Sequence, residues 1–393
     1  LLPVVARAPY SLLLSLLFIR FADEWFTFFP AGALEPMRSE LDLPYAQVGL
    51  ILASLSAGGL LGHGFSVAAD YVDRRLLASG GAFVYGLCLV GFAVGHSFWF
   101  LVAVGVIWGA ASDAFIAGCE VTLVRLYPEH LAPVLGRINA YGAVGDLLGP
   151  LTLAGAALVG ISWRGVFAMG GTLMLAYAAI LLIQKFPNVP LVPEAPPPVA
   201  AIAAVLRDSQ IIRLALVDAL FSLLDEPFQG YTIAFFERVR GQPPALATVI
   251  VAGWVIAGVV GFLAVPVFSK RSSARSLLLG FGVTIAVAVV IIVIAPFVSL
   301  QAIAALVFGF GAAVFYAVLQ ATVLGIQPER AGTVGAVVST IGLLGLAFPT
   351  LVGSVADRFG LTAGLLLYAA VSPLMLVLLV SGSTPKPGPT TRA

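Results

Sequence analysis

Twelve apolar stretches follow one another along this chain, each about as long as the roughly 20 residues a helix needs to cross some 30 Å of hydrocarbon. Breaks supplied by Pro, Gly and clustered charge place them near 9–34, 45–69, 76–95, 98–126, 137–160, 163–186, 211–236, 244–268, 276–295, 298–326, 332–356 and 361–381. Hydrophobic residues make up 60% of the chain and charged ones 10%, whereas ordinary globular domains are about a quarter charged. In a bilayer every backbone N–H and C=O must be bonded within the protein, so the expected fold class is an all-α membrane protein of twelve transmembrane helices. Lys plus Arg (20) nearly balance Asp plus Glu (19), with no basic block, and this excludes nucleic acid as a partner. Cys88 and Cys119 lie inside apolar stretches and read as small buried hydrophobes. The first stretch is read as retained, because no small-residue cleavage site and soluble domain follow it.

Between the sixth and seventh stretches lies "PNVPLVPEAPPPVAAIAAVLRDSQ", a Pro-rich linker that runs into a short amphipathic piece. The expected domains are therefore a six-helix bundle over 1–186, a cytoplasmic linker over 187–210 and a second six-helix bundle over 211–393. Lys and Arg distribution sets the orientation. With both termini cytoplasmic, the outer side carries only Arg38, Arg164, Arg238, Arg240 and Arg358, Arg20 lies within the membrane, and the rest of the 20 fall inside.

The two halves repeat. Shifting the chain by 202 residues places Asp23 and Glu24 on Asp225 and Glu226, Glu35 on Glu237, Arg38 on Arg240 and Gly59 on Gly261. A shift of 200 places Glu120 on Gln320 and Gly142 on Gly342. Apolar helices align readily by chance, but paired carboxylates within a membrane do not. Six-plus-six parallel repeats with a site near the midplane are a transporter architecture.

With these features the chain resembles the major facilitator superfamily over essentially its whole length. The loop after helix 2, "SVAADYVDRR", is similar to the superfamily's G-x-x-x-D-R-x-G-R-R signature and keeps Asp70, Arg74 and Arg75, while Ser66, Tyr71 and Asp73 replace Gly, Arg and Gly. Helix 5 carries "GAVGDLLGPLTLAG", whose Gly145, Gly149 and Pro150 resemble the motif of drug:proton antiporters. "GSVADRFG" and "YAQVGLILA" resemble segments of the fosmidomycin-resistance-like branch. One departure is in helix 4, where the usual Arg corresponds to Gly105. The resemblance implies conformational gating by Asp70, Arg74, Arg75, Gly145, Gly149 and Pro150, and a central cavity lined by helices 1, 4, 7 and 10.

Eight carboxyls fall in the membrane interior, away from the span ends: Asp23, Glu24, Asp113, Glu120, Asp146, Asp218, Asp225 and Glu226, against Arg20 alone. A charge near a helix centre costs about 2.5–3.5 kcal/mol even on the lenient insertion scale. Seven uncompensated ones would sum to roughly 20 kcal/mol, more than the whole stability of most proteins. Protonation, a water-filled cavity or a bound cation must relieve them. Arg20 lies three and four residues before Asp23 and Glu24, so the three share one helix face. Asp113 and Glu120 are spaced by two turns, as are Asp218 and Asp225. Asp218 has Arg213 as its expected partner, and Asp146 sits in the packing motif. Tyr231 and Gln320 complete the expected supporting set. Arg20 aligns with Ser222 in the second half, which leaves Asp225 and Glu226 as the pair expected to need a proton or a cationic substrate.

The expected function is secondary active transport by alternating access: proton-coupled export of a cationic or amphipathic small molecule, using Asp23, Glu24, Asp113, Glu120, Asp225 and Glu226. The alternative is a metal-cation exporter, resembling ferroportin-like members of the superfamily, with Asp23, Glu24, Asp225 and Glu226 as oxygen ligands. No paired nucleophile and base, phosphate loop or H-E-x-x-H occurs, so enzyme chemistry is not expected. The proton is the expected coupling ion, with no other cofactor. A monomer in the inner membrane of a bacterium is the expected setting.

Overall fold

The computed structural model describes residues 10–68, 72–126, 131–186, 205–327 and 331–381. These residues are helical throughout, apart from turns and short connections: α1 (Tyr10–Gly32), α2 (Leu34–Glu40), α3 (Tyr45–Ala68), α4 (Arg74–Val94), α5 (Phe98–Leu126), α6 (Leu131–Leu158), α7 (Trp163–Ile183), α8 (Ser209–Ser222), α9 (Glu226–Arg238), α10 (Pro244–Ser269), α11 (Ala274–Ile294), α12 (Val298–Leu324), α13 (Ala331–Gly342), α14 (Phe348–Phe359) and α15 (Leu361–Val380). Each expected span coincides with one helix or with a pair of them. Among the described residues nine are long and apolar enough to cross a membrane. The protein is an all-helical, multi-pass membrane protein.

The ends of the helices follow local chemistry. Asp73, which stands where the family signature has Gly, caps α4 by accepting the Arg75 N–H, and Asp208 caps α8 by accepting from Gln210 and Ile211. Gly360, at φ 88°, is the one residue between α14 and α15, in a conformation that costs any side chain heavily.

The seventh span departs from expectation. Instead of one helix it is α8 and α9, separated by a turn over 223–225. Pro227 is the cause, because it has no N–H to bond back to the carbonyl of Leu223, yet it sits well in the first turn of a new helix. Pro349 plays the same part in the eleventh span, where α13 passes through a 3-10 turn (Leu343–Gly345) before α14 restarts.

By contacts the chain falls into two units. The first comprises Leu1–Glu194, Gln229–Ala252 and Leu346–Gly364, and the second Ala195–Phe228, Gly253–Gly345 and Leu365–Ala393. In the first, α1 packs on α6, α3 on α5 and α14, and α4 on α5 and α7. Glycines set the closest approaches. A Cβ on Gly109 would lie 1.9 Å from the Leu55 carbonyl oxygen, and one on Gly145 would lie 2.3 Å from that of Phe21. Gly149 rests on the Phe28 ring, so the expected small-residue face of α6 is what lets α1 lie against it. Pro150 is accommodated within α6. Gly105 abuts Ser54, whose Oγ would be 2.1 Å from an added Cβ. Here α3 leaves no space for the Arg of the family pattern. Tyr85, Phe92, Trp108, Phe115 and Phe167 form a fully buried aromatic core. In the second unit α8 packs on α12 and α13, and α11 on α12.

Candidate functional site

Helix α1 brings Arg20, Asp23 and Glu24 to one face, as their spacing requires. Arg20 Nη1 lies 3.2 Å from Glu24 Oε1 and 3.9 Å from Asp23 Oδ2. Asp23 is 5% exposed. Its other oxygen accepts a hydrogen bond from Ser112 of α5 at 2.5 Å, a partner that nothing in the sequence marked. Nearby, Trp25 Nε1 donates to Thr152 (2.8 Å), and the Tyr85 hydroxyl contacts Thr27 and the Asp23 carbonyl. Asp113 lies on α5 with Oδ2 over Gly59. The Glu120 side chain and Asp70 lie outside the described residues. Asp146 is exposed on α6, while Arg74 is buried and Arg75 half-buried at the start of α4.

The second unit holds one carboxylate as deeply as the first. Asp218, 8% exposed, accepts a hydrogen bond from Gln320 Nε2 of α12 at 2.9 Å. Both belong to the expected supporting set, but the pairing with Arg213 does not occur. Five residues along a helix is a rotation of about 140° away from the same face, and Arg213 points elsewhere. One turn beyond Asp218, Phe221 stacks on Phe315 (5.2 Å) and Tyr316 (5.9 Å) of α12. The expected alignment of Asp218 with Asp225 is broken by the turn at 223–225. Asp225 is exposed, and Glu226 stands in the first turn of α9, where a negative charge is favoured.

A third cluster, within the first unit, was visible in sequence only as a repeat signal. Glu35, 2% exposed, accepts two hydrogen bonds from Arg38 (2.9 Å each), one from the Tyr45 hydroxyl (2.9 Å) and one from Arg238 of α9. Hydrogen bonding to Glu35, reinforced by its negative charge and opposed by burial, raises the pKa of the Arg38 guanidinium further. Asp357 of α14 accepts the Tyr45 and Ala46 N–H groups at 2.7 and 2.8 Å and so caps α3 from another helix. The Tyr231 hydroxyl is taken up by the carbonyls of Pro349 and Tyr45. Glu40 accepts from Trp163 and Arg164 at 2.6 Å each; burial pushes its carboxyl upward, but these bonds outweigh it and hold it below the ordinary range. A cavity of 560 Å³ adjoins the cluster, lined by Glu35, Glu40, Trp163, Glu237, Arg238 and Thr248 among others. Burial, reinforced by the Glu35 charge and opposed by Arg238, pushes Glu237 up to about 7.

A sequence profile described as Major Facilitator Superfamily matches residues 13–348. The chain belongs to the major facilitator superfamily. It is therefore a secondary transporter and not an enzyme. Among solved structures, this superfamily member is similar to a bacterial homologue of the human lysosomal transporter Spinster in an inward-facing and occupied conformation, with a TM-score of 0.80 and 15% identity over 94% of this chain and 95% of that one. It is also similar to the nucleoside transporter NupG, with a TM-score of 0.76 and 15% identity over 94% and 98%. At such identities the likeness is one of fold. Among the described residues, no group of three or more His, Cys, Asp and Glu is arranged to hold a metal ion.

Proposed function

We propose that this superfamily member works by alternating access as a proton-coupled exporter of organic cations or amphipathic small molecules, in the inner membrane of a bacterium and as a monomer. The observation that carries the reading is a deeply buried carboxylate on a helix of each unit, Asp23 on α1 and Asp218 on α8, both inside stretches expected to span the membrane. A buried carboxylate is costly unless a positive charge or a proton answers it, and a carrier that exchanges one for the other turns that cost into coupling. The stack of Phe221 with Phe315 and Tyr316 beside Asp218 supports a flat or apolar body on the substrate. Asp23, Glu24 and Asp113, with Arg20 in support, are the groups assigned to the first unit's share of binding and coupling.

The test is reconstitution in liposomes that carry a pH-sensitive dye and a metal-sensitive dye, with ethidium, tetraphenylphosphonium and divalent metals added in turn. Release of protons on addition of an organic cation, reduced in Asp23→Asn, is the expected result. Metal flux without proton movement would replace this reading with that of a metal exporter.

A further inference from the structure

We infer that Asp218 is the residue that carries the coupling proton, and that Gln320 is the partner that lets it do so. This rests on the proton-coupled reading above and assigns it to one side chain, moving the expectation away from Asp225 and Glu226.

Each of the candidate acids has a distinct environment. Asp23 and Glu24 share the Arg20 guanidinium, and Asp23 also accepts from Ser112. Opposite charge and donated hydrogen bonds both favour the ionised form. Asp225 is exposed, and Glu226 lies at a helix N-terminus, which favours its charge. Asp218 differs from all four. It is buried, and its one side-chain partner among the described residues is a neutral amide. The Ser222 hydroxyl on the next turn is bonded to the Asp218 carbonyl instead of to its carboxylate.

Among the described residues, no cation is bonded to the group. On α8 itself Arg213 is rotated away, and Asp208, at the N-cap, is held by Gln210, Ile211 and Gln327. α12 presents Gln320 and, one turn away, Tyr316, which is neutral at physiological pH. Neither α13 nor the 3-10 turn at Leu343–Gly345 contains an ionisable residue. Burial without a counter-charge disfavours the carboxylate and favours the acid.

Gln320 makes both states tenable. A guanidinium can only donate, and would pin Asp218 as the anion. A carboxamide offers NH₂ to a carboxylate and, after a half-turn about its terminal bond, C=O to a carboxylic O–H. The hydrogen bond therefore survives protonation and deprotonation alike, which is what a group must manage if it gains and loses a proton in each cycle. An organic cation resting on the Phe221 and Tyr316 rings would favour the carboxylate and release the proton.

Infrared difference spectroscopy on the purified protein in an ester-free detergent tests the assignment directly. The wild type at pH 7 is expected to show a carboxylic C=O band that is missing in Asp218→Asn. The band is expected to move in Gln320→Leu, which keeps the acid but loses its partner, and to fade in the wild type as pH rises. A wild-type spectrum whose acid bands are unchanged by both substitutions would overturn the inference. In the liposome assay Asp218→Asn is expected to exchange ethidium for ethidium while moving no protons. Wild-type proton movement in that variant would also overturn it and leave the proton-coupled reading intact. If the wild type itself moves no protons, that reading fails, while the infrared band still decides whether Asp218 holds one.

Discussion

The buried acids of the two units are met by different chemistry. In the first unit arginine meets them: Arg20 lies against Asp23 and Glu24, and Arg38 and Arg238 lie against Glu35. In the second unit a glutamine does so, with Gln320 on Asp218. The guanidinium holds its partner in one charge state and adds rigidity, because planar, always-charged donors fix geometry. The amide holds its partner in place without fixing its charge. The partners, and not burial alone, thus decide what each acid can do. Asp23 and Glu35 in the first unit are held in fixed ion pairs, whereas Asp218 in the second is suited to a change of protonation.

The comparison is broken most forcefully at Arg20. Arg20→Ala leaves Asp23 buried beside Glu24 without their shared cation and is expected to cost about 3 kcal/mol, the low end for a broken buried pair because Arg20 and Glu24 are partly exposed. A fall in the thermal unfolding midpoint checks it, and Arg20→Ala with Glu24→Gln should regain part of the loss. A variant as stable as wild type would mean that Arg20 does not fix these acids. Next in size is Glu35→Gln, which weakens charge-assisted bonds to Arg38 and Arg238 at a site 2% exposed. A loss of about 2 kcal/mol is expected, within the range for hydrogen bonds to charged groups, and chemical denaturation would measure it.

Gln320→Lys sharpens the comparison by giving the second unit the chemistry of the first. Asp218 should then be pinned as a carboxylate, with proton movement in liposomes lost. Retained proton coupling in Gln320→Lys would show that the neutral partner is not what matters. The smallest effect expected is a pH dependence at Glu237. Its folded pKa of about 7 is above the ordinary carboxyl value of 4.5. The folded cluster therefore binds more protons than the unfolded chain between those values, and stability is expected to fall as pH rises from 4.5 through 7. Thermal unfolding across that window checks the sign, and Glu237→Gln should flatten it.

Much of the fold was legible because it depends on quantities local in sequence. A span is fixed by its length and apolarity, and the shared face of Arg20, Asp23 and Glu24 follows from 3.6 residues per turn. The family signature and the small-residue face of α6 are likewise contiguous strings. Pro227 marks the break in the seventh span, but the apolarity of 211–236 fits one continuous helix equally well, and only the turn at 223–225 separates Asp218 from Asp225. The expected partnership of Asp218 with Arg213 failed for a similar reason, since closeness along a helix does not imply a common face.

What the chain determined by itself was a multi-pass helical protein with many apolar spans, a repeated pair of acids and an excess of carboxyls in an apolar setting. Each follows from composition and local spacing, which the bilayer converts into structure by forbidding unpaired backbone. Only the tertiary structure decided which partner each acid receives. Ser112 reaches Asp23 across 89 residues, Gln320 reaches Asp218 across 102, and Arg238 reaches Glu35 across 203. A carboxylate's charge state depends on what lies within a few ångströms of it, and those neighbours are brought together by helix packing, which no local pattern in the chain encodes.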